Sequence, residues 1–266
     1  MARSLQWVIL LDLDLVEREN THGLRHPWET ARAGFIVRLL RQMRLLSGGS
    51  RWLDVGSGDA WLAHQVLAHA GASASAECWD VNYSDDDIAM LESAEDVASN
   101  IGFGAERPNG SFDRILMLDV IEHVDDDVGF VSSIVQDLLA PDGFAIVTVP
   151  AYQALFGDHD RALHHFRRYS PTACRGVLEE SGLTVLAEGG LFHSLLVLRA
   201  AGLVVDRVRR SKQASVGVGG WSGGPFLTRA MEGFLRTEAR VSLAVGRRGW
   251  VVPGLSYWAV CSRHGS

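Results

Sequence analysis

The sequence predicts an α/β fold with a doubly wound, mostly parallel sheet, and three observations carry that prediction. Apolar segments of strand length alternate with segments whose apolar residues recur at helical spacing. Two of the strand segments, Phe112 to Leu118 and Phe144 to Val149, are near-continuous apolar runs, as expected of strands buried on both faces. Third, Arg51-Trp-Leu-Asp-Val-Gly-Ser-Gly-Asp59 runs from an apolar strand into a glycine turn, and Leu62, Val66 and Leu67 continue it as a helix. In such sheets the connections between parallel strands are right-handed and place helices on both faces.

Composition bounds the problem further. A chain of 266 residues with 47% apolar content can bury a substantial core, enough for one α/β domain with an appendage. A formal charge of −7 argues against broad nucleic-acid binding. Cys78, Cys174 and Cys261 are odd in number and widely spaced, which suggests reduced thiols in a cytoplasmic protein rather than a disulfide framework.

Residues 1–25 read equally well as a strand or an irregular arm. Their apolar run, Trp7 to Leu11, is interrupted at once by Asp12 and Asp14 and no small-residue cleavage site follows, so no signal peptide is expected. From Trp28 to Leu46 the spacing of Phe35, Leu39, Met43 and Leu46 describes an amphipathic helix, stopped by Ser47-Gly-Gly-Ser50. After the glycine turn, Ala76 to Asp80 is the next strand, and Ser84-Asp-Asp-Asp87 starts a helix with acids in its first turn. Ala94 to Gly110 should hold a short strand and a surface loop. Phe112 to Leu118 is a strand, Asp127 to Leu139 a helix, Pro141-Asp-Gly143 a turn and Phe144 to Val149 a strand ending at Pro150.

Beyond this point the pattern changes. Pro171 to Ser181 is helical and Leu183 to Leu186 begins a strand. Leu191 to Val205, the longest apolar stretch, holds His193 and Arg199 and falls short of the ~20 residues that span a bilayer, so it predicts a buried or interfacial helix. Gly217 to Gly224 is a glycine-rich loop, Phe226 to Val245 a helix, and Leu255 to Cys261 the final strand. The expected organisation is therefore an N-terminal arm and cap helix (1–47), the core (48–192), a helical insertion with the glycine-rich loop (193–250) and a last strand returning to the sheet (251–266).

Ligands of doubly wound sheets sit at the carboxyl ends of the strands. Here those ends carry Asp54 to Asp59, Asp80 to Asn82, Asp119 to His123, and Pro150 onward. Gly56 and Gly58 let the backbone turn sharply and approach a ligand, while the following helix N-terminus suits an anionic group. Asp80 lies 24 residues after Gly56, close to the ~20 expected for an acid that binds a ribose hydroxyl pair. Asp54 stands where a nicotinamide-binding strand has an apolar residue. No Gly-x-x-x-x-Gly-Lys-Ser/Thr sequence is present, which excludes a P-loop.

With these residues in place, the chain resembles the class I S-adenosylmethionine-dependent methyltransferases. Leu53-Asp-Val-Gly-Ser-Gly-Asp59 matches their first motif, with Ala60 where many members have a third glycine. Asp80 matches their ribose-binding acid, Phe112 to Val124 (ending Glu-His-Val) their fourth motif, and Leu139 to Pro150 the next strand. The likeness covers about residues 26–190. It implies a Rossmann-like, seven-stranded sheet whose last strand is antiparallel, with S-adenosyl-L-methionine bound and S-adenosyl-L-homocysteine as product. By resemblance the cofactor residues are Trp28, Arg32, Asp54, Gly56, Ser57, Gly58, Asp80, Val81, Asn82, Leu118 and Asp119. His26-Pro-Trp-Glu-Thr-Ala-Arg32 together with Phe156-x-x-His-Asp-x-x-x-x-His-x-x-Arg-Arg-Tyr169 looks like a bacterial subgroup of these enzymes. That likeness implies a cap helix with His26, Trp28 and Arg32 near the methionine end of the cofactor.

Methyl transfer from a sulfonium is an in-line displacement, so positioning supplies much of the acceleration. A base is needed only when the acceptor arrives protonated. Residues 156–169 hold the densest set of suitable groups: Asp158, His159, Asp160, His164, His165 and Tyr169. His159 and His164 are the preferred base candidates, with Tyr169 and His123 as further catalytic candidates. The same histidines could instead only pin the loop. Arg167 and Arg168 either bind an acidic acceptor or pair with surface acids.

Asp119, Glu122 and His123 are the candidates for a metal, because in ubiquinone-biosynthesis O-methyltransferases a similar pattern binds a divalent cation. The expectation is that no metal is used and that Glu122 and His123 shape the pocket floor. Arg207, Arg209, Arg210 and Lys212 could dock on an anionic membrane surface or a lipid-linked acceptor, or form a solvated helix end. The expected partner is a small-molecule acceptor, acidic or lipid-linked among the options, with no nucleic acid and at most peripheral membrane contact. A nicotinamide-dependent oxidoreductase using Gly56, Gly58 and Asp80 is the second enzyme reading, and a non-catalytic cofactor-binding protein the third.

Overall fold

The structure is a computed structural model that describes residues 25–94, 100–209, 224–246 and 250–264. Residues 1–24, the glycine-rich 217–223, Arg210 and Lys212 lie outside the described residues, as do the side chains of Arg207 and Arg209. The elements run α1 (Pro27–Gln42), β1 (Arg51–Val55), α2 (Trp61–Leu67), β2 (Ser75–Trp79), α3 (Asp85–Ser93), β3 (Ile101–Gly104), β4 (Phe112–Leu118) and α4 (Asp127–Asp137). There follow β5 (Leu139–Pro150), the short α5 (Asp158–Ala162), α6 (Pro171–Glu180), β6 (Leu183–Leu191), α7 (His193–Arg209), α8 (Pro225–Gly246) and β7 (Ser256–Arg263).

Seven strands form one sheet in the order β3-β2-β1-β4-β5-β7-β6. Neighbours from β3 to β5 pair in parallel, whereas β7 runs antiparallel to both β5 and β6. The Rossmann-like sheet with its antiparallel last strand is thus present. Its two faces are sorted by the two-residue period of the strands. Leu53 and Val55, Ile115 and Met117, and Val147 and Val149 face α4 and α6, where Val131, Ile134, Val135, Cys174 and Leu178 complete one core. Trp52, Leu116, Leu118, Ile146 and Val260 face the other way, against Phe35, Leu39 and Leu40 of α1, Val66 of α2, and Leu235, Ala239 and Leu243 of α8. Asp54, two residues beyond Trp52, lies on this second face, near Ala63, Val66 and Leu67 of α2.

Several elements differ from their expected form. β5 begins at Leu139 rather than Phe144, because Pro141-Asp-Gly143 is accommodated as an irregularity between the pairs Phe112–Leu139 and Arg114–Phe144. A turn signal inside a strand marks a bulge here, not a strand end. β6 runs on to Leu191, since β7 offers it an antiparallel partner along its whole length. The apolar helix predicted from Leu191 starts at His193 and leaves Val197 and Leu198 exposed (67% and 65%). No helix among the described residues is long and apolar enough to cross a membrane. The three cysteines are buried and unpaired.

Candidate active site

The turn after β1 is built from alternating left-handed residues: Gly56, Gly58 and Ala60 have φ of 65°, 53° and 56°. Glycine takes that conformation without steric cost, which is why the first two positions are glycines. Ala60 adopts it with a fully buried methyl group, at the place where the resemblance expects a third glycine. The turn is then fastened to β2. Gly56 N–H donates to the Trp79 carbonyl (2.7 Å), and Gly58 N–H donates to Asp80 Oδ2 (3.1 Å). Asn82 completes the carboxylate's shell, donating to Asp80 Oδ1 from its backbone and its side chain, both at 3.0 Å. Val81 is 39% exposed beside them.

Tyr83 closes the other side. Its hydroxyl donates to the Gly58 carbonyl at 2.6 Å and lies 2.8 Å from Ser57 Oγ. Burial raises its phenol pKa, so it stays a donor. Nothing in the sequence marks Tyr83, because its importance lies in reaching back 25 residues to the turn.

Four carboxylates converge here. Asp54 and Asp80 are almost fully buried (4% and 2% exposed). Burial pushes the Asp54 carboxyl up to about 7; Arg32 opposes the shift, whereas neighbouring Asp80 and Asp59 add to it. Asp80 is raised by burial too, against the hydrogen bonds it accepts from Asn82 and Gly58. Asp119, directly after β4, adopts φ 60°, accepts from Thr148 Oγ1 at 3.0 Å and pairs with Arg32.

Helix α1 brings cations to this acidic rim. Arg32 reaches Asp119 while stacking 4.8 Å from the Trp28 ring centre, and Trp28 in turn packs on Phe192. Arg25 bridges Glu29 and Asp59 and lies 4.2 Å from the Trp61 ring centre. His26 caps the helix, accepting from Trp28 N–H. The structure therefore brings together Trp28, Arg32, Asp54, Gly56, Ser57, Gly58, Asp80, Val81, Asn82 and Asp119, with Leu118 buried beneath them. Arg25 was missed because an arginine just before a helix has no local signature.

The loop candidates separate. Tyr169 is 3% exposed and donates to Asp127 Oδ2 (2.7 Å) and the Ile121 carbonyl (3.2 Å). As placed, its hydroxyl is a strut from the loop to the turn after β4 and the start of α4, with a phenol pKa raised by burial and by Asp127. Arg167 pairs with Asp127 at 2.9 Å and with Asp125. Arg168 donates from Nε to Asp160 Oδ1 at 2.6 Å. Both arginines are paired with acids of the chain itself, but not only with surface ones: Arg168 meets fully buried Asp160, and Arg167 meets buried Asp127 as well as exposed Asp125.

His164 is exposed and left-handed (φ 57°), whereas His159 is half-buried with its pKa lowered by that burial. His123 is 7% exposed and lowered to about 4, chiefly by burial and then by neighbouring His165. Glu122 is completely buried, and burial raises its carboxyl well above the usual range. Asp119 faces Arg32 and Thr148. Among the described residues the group whose potential ligand atoms lie close together is Glu122, His123 and His165; Asp119, named with Glu122 and His123 as a candidate beside the expectation of no metal, is not part of it.

Comparison with known proteins places this geometry in a family. The family model described as a methyltransferase domain matches residues 28–188. Among solved structures, a candidate sarcosine dimethylglycine methyltransferase from Galdieria sulphuraria aligns with a TM-score of 0.56 at 16% identity, covering 88% of this chain and 85% of that one. A candidate methyltransferase from Haloferax volcanii, solved in complex with the Trm112 methyltransferase activator, gives 0.55 at 14% identity and covers 95% of each chain. The cyclase SpnF aligns at 0.53 with 15% identity, covering 88% and 81%, so the architecture alone does not fix the reaction. No curated protein matches the sequence. The domain match, spanning the cap helix, the glycine turn and the strands that carry the acidic rim, shows that the chain belongs to the methyltransferase domain family and is an enzyme of that class.

Proposed function

We propose that the protein transfers a methyl group from S-adenosyl-L-methionine to a small-molecule acceptor held beside residues 156–169, leaving S-adenosyl-L-homocysteine. The single observation behind this reading is the acidic nest of Asp54, Asp59, Asp80 and Asp119 around a left-handed glycine turn. A nucleoside bearing a sulfonium and an ammonium group is a cation that fits it, whereas the anionic pyrophosphate of a dinucleotide does not. The domain match likewise displaces the oxidoreductase reading.

In this proposal Asp80 accepts from the ribose hydroxyls, and Asn82 and the Gly58 N–H keep its carboxylate aimed. Asp54 and Asp119 supply negative potential toward the cationic end, and Arg32 is the group for the donor's carboxylate. Trp28, fixed by Phe192 and Arg32, covers that end and excludes water. The bound donor supplies an electrophilic methyl group for in-line displacement, and the residues of the chain supply alignment. Where the acceptor carries a proton, His159, whose burial favours the neutral imidazole, is the preferred base, with exposed His164 second. The boundaries 1–47, 48–192, 193–250 and 251–266 are proposed as cap, core, insertion and returning strand.

Differential scanning with each cofactor tests the reading. S-adenosylhomocysteine should raise the melting temperature and NADH should not. Calorimetry refines it: Asp80→Ala should weaken S-adenosylhomocysteine binding by about 1.5–3 kcal/mol, the value of hydrogen bonds to a charged acceptor. Unchanged affinity in that variant removes Asp80 from the site.

A further inference from the structure

Just beyond β4, one side-chain cluster is used by none of the steps proposed above. Glu122 and His123 come from the single 3-10 turn that follows β4, and His165 comes from the loop after α5. Phe166 N–H donates to the Glu122 carbonyl at 2.8 Å, locking the loop against the turn and holding His165 beside Glu122. One potential ligand atom from each of the three residues lies within 4.8 Å of the others.

The hydrogen bonding around the cluster is lopsided. Neither Glu122 oxygen has a partner outside its own residue, although the side chain is completely buried, and His123 Nδ1 is buried without a partner. Unpaired carboxyl oxygens in such a setting are costly, and native structures keep them where something else satisfies them. By contrast, the far side of each imidazole is well held. His165 Nδ1 lies 3.1 Å from Asp160 Oδ1, and Asp160 is itself held by Arg168 and the Gly157 N–H. The Leu163 backbone hydrogen-bonds the His123 ring. The two rings stand edge to face with centres 4.6 Å apart. A carboxylate behind one histidine and a backbone group behind the other are the supports that orient imidazole ligands toward a metal.

We infer that Glu122, His123 and His165 form a binding site for a divalent transition-metal ion of the Zn2+ class. Two imidazole nitrogens and one carboxylate favour such an ion over Mg2+ or Ca2+, which take oxygen ligands. Three protein ligands leave a fourth position for water or an acceptor heteroatom. Tetrahedral bonds of about 2.0–2.1 Å need ligand atoms roughly 3.3 Å apart, so the cluster closes by movements of about an ångström or less in each side chain. The site departs from the expectation of no metal and from the candidate set Asp119, Glu122 and His123, because Asp119 is engaged by Arg32 and Thr148 and His165 takes its place. Metal binding here stands independently of which methyl donor or acceptor the protein uses.

The full chain, stripped with EDTA, is titrated with ZnCl2 in a calorimeter and, in parallel, with MgCl2. One Zn2+ per chain with a raised melting temperature is expected, and no response to Mg2+. Glu122→Gln and His165→Ala should each weaken Zn2+ at least tenfold, and Asp160→Asn by about 10–100-fold through loss of the support behind His165. Exposed His69→Ala should change nothing. S-adenosylhomocysteine binding, measured on every variant, reports folding and separates failure at this site from failure of the methyl-donor reading. Co2+ added to the unaltered protein gives a readout that needs no variant, since an enclosed tetrahedral site develops visible absorption. Absence of both Zn2+ affinity and that absorption, or Zn2+ affinity unchanged in Glu122→Gln and His165→Ala, overturns the inference.

Discussion

Asp54 shows how one residue links burial to function. Its carboxyl titrates near 7 because burial disfavours charge and Asp80 and Asp59 lie close by, with Arg32 compensating only in part. An unfolded carboxyl titrates near its ordinary 3.8, so between about pH 4 and pH 7 the folded protein binds the extra proton. Stability from this group therefore falls as pH rises through that window and levels off above it. At roughly 1.4 kcal/mol per pH unit the whole effect is on the order of 4 kcal/mol. His123 acts in the opposite sense between about 4 and 6.5, because its folded form prefers to stay neutral. The difference between the native protein and Asp54→Asn isolates the Asp54 part. In urea unfolding at a series of pH values, Asp54→Asn should gain on the native protein from pH 4 to 7; a constant difference would show that Asp54 ionises freely. A cationic donor bound in the nest would draw Asp54 into its charged form.

At the scale of elements, the segment from Gly157 to Tyr169 is ordered by polar contacts more than by propensity. Its helix α5 has only five residues, too few to be stable alone. Asp160 holds it together. Burial alone would raise the Asp160 carboxyl, but hydrogen bonds from His165 and Arg168 and the Arg168 charge override burial and hold it well below the usual range. That stability is present above an ordinary carboxyl pKa and is lost as pH falls through the depressed one. Asp160→Asn leaves Arg168 buried at 8% exposure without a counter-charge, and the expected cost is about 3–5 kcal/mol in urea unfolding. A loss under about 1 kcal/mol would mean that the loop is held by packing and by Tyr169 instead. The sequence showed a dense cluster of His, Asp and Arg here without showing which served the loop and which the acceptor, since each residue type suits both.

Across the whole molecule, β7 joins parts that are distant in the chain. Trp258 is 2% exposed, meets Phe35 of α1 edge-on at 5.5 Å, and packs over Gly189 of β6. A Cβ on Gly189 would come within 2.7 Å of the indole, so the glycine makes room for the ring. α8 lies against α1 and β6, covering the same face of the sheet. Trp258→Ala should therefore loosen the cap helix and the insertion together, at a cost of about 3–5 kcal/mol in urea unfolding. Phe226→Ala, at an 87% exposed position on α8, should stay within about 0.5 kcal/mol of the native protein.

The amino-acid sequence by itself determined what depends on neighbouring residues. The strand periods, the glycine turn at Gly56 and Gly58, and the acids at the ends of β1, β2 and β4 are all written in contiguous segments. Apolar alternation and the need for left-handed backbone are local properties, so they could be read without knowing the fold. Tertiary structure alone decided the partners of the polar side chains. Arg32 meets Asp119 across 87 positions, Tyr169 meets Asp127 across 42, and His165 reaches Glu122 only because the loop folds back on the turn after β4. Those pairings, and the proton affinities that burial imposes on Asp54, Glu122 and His123, arise from which distant elements pack together and how completely they exclude water.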